Sequence, residues 1–220
     1  MKKIIGLCVL GGLMATTATA QIKKGTVLLG GQIGGGNNKS TSSGTSVNTE
    51  SKRNAVNFNI SAGKAFAENK VIGIYGGYGF AKYEYAPNVV YQNAKNNSYN
   101  AGVFYRQYKS LAKKFYIFGE ANLGYYGSNE KSNLNNPAGM VQTIKTNGIT
   151  FGLTPGTSYQ VCKKMQVELT IPALLSLGYQ TAKQTYNNSP QTIKTNSFNA
   201  NATTQSSFLN NVAIGFKFTL

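Results

Sequence analysis

Histidine and aspartate are absent, so the acids are six glutamates, set against 22 Lys+Arg, a net charge of +16. Acid–base catalysis near neutral pH uses His, or a carboxylate whose pKa burial has raised. A serine nucleophile here would have only a glutamate as base, and Glu120 is the one candidate. A neighbouring Arg106 would instead hold that carboxyl ionised. Scattered glutamates and a single cysteine beyond the leader do not make a metal site. Gln32 to Gly36 and Gly73 to Gly79 are glycine-rich but do not match a phosphate loop. The chain is therefore expected to be no enzyme and to carry no cofactor. What remains are four strand charges, Arg106, Glu120, Glu168 and Lys217, and a scatter of basic residues in polar stretches.

The elements that position these charges begin after a leader. Lys2 and Lys3 precede an apolar run from Ile4 to Met14, and Ala18-Thr19-Ala20 fits a cleavage site. A signal peptide over residues 1–20 is expected, with Gln21 as the mature start. Cys8 lies inside the apolar run, so cleavage leaves Cys162 alone and no internal disulfide is possible. A helix across a bilayer needs about 20 mostly apolar residues, and the rest of the chain has no such run.

From Thr26 onward, period-2 segments of Val, Ile, Phe, Tyr and Gly alternate with Asn-, Ser-, Thr- and Lys-rich stretches, which reads as strand and connection. Eight strands are expected: about 26–34, 55–66, 71–83, 97–108, 115–126, 143–159, one from about Met165, and 208–220. In each, one face is apolar, as with Phe58, Ile60 and Ala62 against Asn57, Asn59 and Ser61. Connections after the second, fourth and sixth strands are short; the others are long and polar, a rhythm of membrane barrels rather than soluble sandwiches. The hexapeptide Gln142–Asn147 recurs as Gln191–Asn196, each copy after an Asn-Asn pair and a proline. Both read as returning arms of hairpins beyond the membrane, with chance duplication in polar loops the alternative.

Alternation cannot tell inside from outside. Three features favour apolar-outward. The polar faces carry Gly, Asn, Ser and Thr rather than Lys and Glu. Aromatics gather near strand ends: Tyr83, Tyr85, Tyr105, Tyr108, Tyr125, Tyr126, Tyr159, Phe216 and Phe218, suited to an interface. The last residues given, Gly-Phe-Lys-Phe-Thr-Leu, read as an alternating strand ending on an apolar residue, which is seldom the close of a soluble protein. The fold expected is all-β, an eight-stranded antiparallel up-and-down transmembrane β-barrel over 21–220. Arg106, Glu120, Glu168 and Lys217 then face a lumen just wide enough for side chains. Two ion pairs there, Arg106 with Glu120 and Glu168 with Lys217, are expected to plug the barrel; solvation by lumen water is the alternative.

Several stretches resemble the outer-membrane β-barrel domain family, small OmpA/OmpX-like barrels of Bacteroidetes: Phe58 to Lys70, Val103 to Tyr108 with Phe115 to Glu120 and Leu123-Gly124-Tyr125, Phe151 to Tyr159, and the terminal strand. The resemblance covers nearly all of 21–220. It implies a Gram-negative outer-membrane location and a barrel-assembly signal in Phe216, Phe218 and Leu220. In such barrels the last residue is usually aromatic, and here it is Leu220. Lys64 stands where an interfacial aromatic is typical, and it can snorkel to headgroups.

The function expected is a non-enzymatic integral barrel, envelope-structural or surface-interacting through basic loops. Lys39, Lys52, Arg53, Lys95, Lys131, Lys145, Lys183 and Lys194 are candidate polyanion contacts, although excess lysine also simply solubilises loops. Expected partners are outer-membrane lipid and lipopolysaccharide, and the barrel-assembly machinery; a leader argues against nucleic acid. A monomer is expected. The alternatives are a narrow pore for small solutes and a soluble secreted β-barrel binder.

Overall fold

The computed structural model describes residues 22–43, 48–85, 91–134, 140–171, 174–202 and 212–220. The expected leader and the segment 208–211, where the last strand was expected to begin, lie outside the described residues. Ten strands follow one another: β1 (Val27–Ser43), β2 (Asn48–Ala67), β3 (Lys70–Tyr85), β4 (Tyr91–Ala112), β5 (Phe115–Leu134), β6 (Val141–Cys162), β7 (Met165–Thr170), β8 (Leu175–Tyr186), β9 (Ser189–Ala202) and β10 (Ala213–Thr219). Every pairing is antiparallel.

Eight of the ten close a ring. Following hydrogen bonds from β1 through β2, β3, β4, β5, β6, β7 and β10 returns to β1, where Leu28 pairs with Thr219 and Ile33 with Ile214. The expected up-and-down barrel of eight strands is the observed architecture. Partners are staggered. Ile33 leads through Ile214, Leu169, Thr157 and Ile117 to Lys109, close to the turn at the end of β4. Such stagger is the shear that tilts strands in a closed barrel.

Two elements differ from the sequence reading. The seventh strand continues: β6 pairs with β7 through Gly156–Cys162 and with β8 through Gln142–Leu153. Pro172, which has no N–H for a ladder, stands between β7 and β8 in sequence. β9 then pairs with β8, so Gln191–Asn196 lies in the returning arm of a hairpin, as expected, and the stretch before it, read as part of a long polar connection, is the outgoing arm. The polar stretches after the first, third and fifth strands are likewise ladder, carrying β1–β6 to 16–22 residues each. About 9–11 residues suffice to cross a bilayer. Above Ile33, among the described residues, β1 pairs only with β2, and β9 pairs only with β8.

Side-chain placement is inverted relative to a water-soluble protein. Ile60 is 72% exposed and Ile74 64%, while Arg106, Glu168 and Lys217 are buried. Lysines bracket this apolar exterior. On the outward face of β3, Ile72, Ile74, Tyr78 and Phe80 lie between Lys70 and Lys82; on β4, Tyr105, Val103 and Tyr99 lie between Lys109 and Lys95; on β2, Ile60, Phe58 and Val56 lie between Lys64 and Lys52. Twelve residues at about 3.4 Å, tilted by about 40°, span about 31 Å, close to the hydrocarbon thickness of a bilayer. The aromatics divide. Tyr105, Tyr125, Tyr159, Phe216 and Phe218 are exposed on the outer wall, whereas Tyr108 is buried inside.

The packed core sits inside the barrel at the end with the short turns. Leu28, Ala65, Val71, Phe104, Tyr108, Tyr116 and Phe118 cluster there with Ile22. Glycines make room: a Cβ on Gly156 would lie 2.3 Å from the Phe118 ring, and one on Gly73 2.7 Å from Phe104.

Outward burial in hydrocarbon makes a direct prediction. Ile60→Lys should lower the stability of the vesicle-inserted barrel by about 2–4 kcal/mol, measured by urea titration. An isoleucine that faces water would tolerate lysine with almost no change.

Candidate functional site

The buried charges meet just above the aromatic core. They sit on the polar face of each strand because the opposite face is committed to the apolar exterior. Arg106 on β4 donates from Nε to Glu120 Oε2 at 2.8 Å, and its Nη2 lies 2.6 Å from the same oxygen. β4 and β5 are neighbours, and Arg106 stands directly opposite Glu120 in their register. From Nη1 the same guanidinium reaches both oxygens of Glu168 on β7, at 2.8 and 2.9 Å. β7 is three places from β4 around the ring, so this bond crosses the lumen. Side-chain exposures of 7%, 14% and 4% for Arg106, Glu120 and Glu168 place the triad in a nearly dry setting.

Only part of the expected pairing is present. Arg106 serves both carboxylates. Lys217, expected to pair with Glu168, donates to Ser61 Oγ at 2.6 Å instead, with Nζ 5.6 Å from the Phe104 ring centroid. The register explains this. Lys217 stands opposite Gly30 of β1 and Gln166 of β7, and a Cβ on Gly30 would come within 2.5 Å of the lysine stem. The lysine therefore lies across β1 toward Ser61 of β2.

Sequence reasoning missed four partners, Tyr108, Phe104, Phe118 and Ser61. Tyr108 accepts from Arg106 Nη1 at 2.9 Å and donates to Glu168 Oε1 at 3.2 Å. The guanidinium also lies 4.1 Å from the Phe118 ring centroid and 5.7 Å from that of Phe104, so it is held by cation–π contact as well. Tyr108 is two residues from Arg106 on the same face, a signal present in the sequence but outweighed by its position near a strand end. Ser61 leaves no such signal. Higher up, Gln32 bonds to Thr170, and Tyr126 to Gln180. Above the triad, a cavity of about 290 Å³ is lined by Asn59, Asn100, Asn122, Tyr75, Tyr126 and Thr150 among others. The arrangement can bind water and fix the wall.

The outer basic residues form a second constellation. Lys39 and Lys52 both contact Glu50, at 3.2 and 3.0 Å, and Lys82 contacts Glu84 at 2.6 Å. These two lysines hold the Glu50 carboxyl below its ordinary pKa, and Glu50 in turn raises that of Lys52. Lys82 stands opposite Lys95, and Lys95 opposite Lys131. On the next strands, Lys145 stands opposite Lys183, and Lys183 opposite Lys194. Lys145 and Lys194 are the fourth residues of the two hexapeptide copies, which flank β8 in matching register. Strands are about 4.8 Å apart, and like charges placed opposite one another are destabilising. Among the described residues, no carboxylate pairs with Lys95, Lys131, Lys145, Lys183 or Lys194. Arg53 points the other way and donates from Nε to the Tyr83 hydroxyl at 3.1 Å.

Phe216, Phe218 and Leu220 are exposed on the outer wall. Phe216 pairs with Gly31 and Val167, and Phe218 with Leu29 and Met165, so β10 closes the ring.

A closed ring with charges inside and aliphatic side chains outside defines a membrane-spanning β-barrel. No family model and no curated protein matches this sequence. Similar solved structures include the outer membrane protease OmpT from Escherichia coli (11% identity, TM-score 0.43, covering 89% of this chain and 76% of that one). The ferric yersiniabactin uptake receptor FyuA from Yersinia pestis shares 10% identity at a TM-score of 0.35, with 79% of this chain covered but only 26% of FyuA. The transport unit of the autotransporter AIDA-I from Escherichia coli shares 12% identity at a TM-score of 0.28, covering 98% and 97%.

Because Arg106 is hydrogen-bonded to two buried carboxylates, Arg106→Met should destabilise the barrel by about 3–5 kcal/mol. Replacing Arg106, Glu120 and Glu168 together by Met, Leu and Leu should recover most of that loss. Urea midpoints in detergent micelles report both. Equal destabilisation by the single and triple variants would contradict the triad's role.

Proposed function

We propose that this chain is a non-enzymatic integral β-barrel of a Gram-negative outer membrane, a small OmpA/OmpX-like barrel that serves the envelope structurally and through its surface. The reading is supported most by the lysine ladders beyond the apolar belt. Lys82–Lys95–Lys131 and Lys145–Lys183–Lys194 run over neighbouring strands, with Lys131 opposite Thr143, two residues before Lys145. Rows of like charge with few acids among them are stabilised by an anion, and they stand at the height of the headgroups on the long-hairpin side. Lipopolysaccharide phosphates are that anion in this proposal, and lipid packing around the barrel is the purpose. The barrel inserts through the assembly machinery, which reads β10, and acts as a monomer.

The narrow-pore alternative meets the Arg106–Glu168 crossing and the aromatic core beneath it, which fill the turn-end half of the lumen. A soluble binder would have to keep Ile60, Ile74 and Phe58 in water.

Replacing Lys95, Lys131, Lys145, Lys183 and Lys194 by Gln should weaken lipid A binding at least about tenfold, since each basic residue near an anionic surface contributes about 1 kcal/mol. Unchanged binding removes the lipid role. Liposome swelling in small sugars should stay at the level of protein-free vesicles; rapid swelling would favour the pore.

A further inference from the structure

The lysine ladders occupy one rim. The opposite rim, at the short turns, is also basic, and nothing in the proposed surface role uses it. Two of its three hairpin turns are lysine pairs, Lys113-Lys114 between β4 and β5 and Lys163-Lys164 between β6 and β7. Lys23 and Lys24 lie before β1 at the same end. Lys64, Lys70 and Lys109 stand on the outer wall just above them. All nine are exposed, and Glu68 is the one acid among them in sequence. No salt bridge engages any of these lysines among the described residues.

This rim is rigid. The Lys114 carbonyl accepts from Gln160 N–H at 2.8 Å, and the Lys164 carbonyl from Thr219 N–H at 2.9 Å. The third turn follows the same pattern, with Asn69 O accepting from Tyr108 N–H at 2.8 Å. Asn69 adopts the left-handed conformation that tight turns require, at φ 58°. Its side chain accepts from Ile22 N–H, and its own N–H donates to Ile22 O, which anchors the segment carrying Lys23 and Lys24. Each turn is thus stitched to the neighbouring strand or segment, which sets the lysine backbones around one end of the ring.

A charged ring at a pore mouth commonly selects ions. Here the lumen behind the ring is filled by Phe104, Tyr108, Tyr116 and Phe118, so flux is not what the ring serves. Height decides between the remaining occupants. Lys64 is outward beside Ile72 in register, and Lys109 stands opposite Ile117. The Lys113-Lys114 turn lies only about two residue pairs, or roughly 7 Å, beyond Ile117, within the thickness of a headgroup layer. The lysines therefore sit alongside lipid rather than projecting past it.

We propose that the turn-end rim is a collar for the anionic headgroups of the adjoining leaflet, with phosphatidylglycerol-type phosphates as its ligand. The collar fixes the depth of the barrel from the side opposite the lysine ladders. It does not depend on lipopolysaccharide binding, and its test reads this rim alone.

Cys162 is exposed and adjoins Lys163, which makes it a reporter. With Cys8→Ser in the chain, a polarity-sensitive dye on Cys162 is followed in vesicles of phosphatidylcholine alone and with a third of the lipid replaced by phosphatidylglycerol. Acrylamide quenching should fall about twofold in the mixed vesicles as headgroups close over the rim. The variant with Gln at 23, 24, 113, 114, 163 and 164 should lose that response, and the matching Arg variant should keep it. Gln at the five ladder lysines should leave it intact. Heat-modifiable migration confirms folding of each variant, and the Arg series serves if the Gln series misfolds, because loss of the response there overturns the proposal. A response that survives in the Gln rim variant, or that soluble peptidoglycan fragments elicit equally, also overturns it.

Discussion

A strand that meets hydrocarbon can leave no backbone N–H or C=O unpaired, and that requirement governs this molecule. Pairing β10 with both β1 and β7 satisfies it over Leu28–Ile33 of β1, where the sheet closes; above that height β1 and β9 each keep one ladder partner among the described residues. Where the ring is closed, the exterior can be aliphatic without aggregating along an open edge. Period-2 alternation then sends every second side chain into the lumen, whatever its polarity. The buried charges follow from the closure, because Arg106, Glu120 and Glu168 have nowhere else to point.

Charge is sorted by the same geometry. Inside, at low dielectric, each carboxylate of the triad is hydrogen-bonded to the one guanidinium, and Tyr108 supplies a further hydrogen bond. Outside, the lysines stop where the apolar belt begins and resume where it ends, at Lys70 and Lys82 on β3 and at Lys109 and Lys95 on β4. A long flexible stem lets each lie against apolar wall while its ammonium stays among headgroups. The apolar belt sets the depth of the barrel, and basic residues stand at both of its margins.

The sequence carries the barrel well and its upper wall poorly. Alternation such as Phe58–Ile60–Ala62 or Ile149–Phe151–Leu153 marks a strand because one face is greasy and the other small and polar. β9, with Gln191-Thr192-Ile193-Lys194-Thr195-Asn196, has polar residues on both faces and lacks that alternation. Its repeat and the Asn-Asn and proline before it mark it as a hairpin arm, while its partner β8 and the length of the pairing come from the backbone ladder. The interior was partly legible. Arg106 and Glu120 were readable because they lie on neighbouring strands, one residue opposite the other. The preference of Lys217 for Ser61 was not, since it depends on the stem passing over Gly30. The hexapeptide duplication was visible as text, but its consequence, two copies flanking β8 with three lysines abreast, required the register.

The central claim is that alternate residues of each strand point into lipid. Nitroxide labels placed one at a time at positions 56 to 62 of β2, in vesicles, test it through collision with oxygen and with a water-soluble relaxation agent. The account predicts high oxygen and low aqueous access at 56, 58, 60 and 62, and the reverse or mutual exclusion at 57, 59 and 61. Aqueous access at 58 and 60, or a smooth profile without period two, would contradict it.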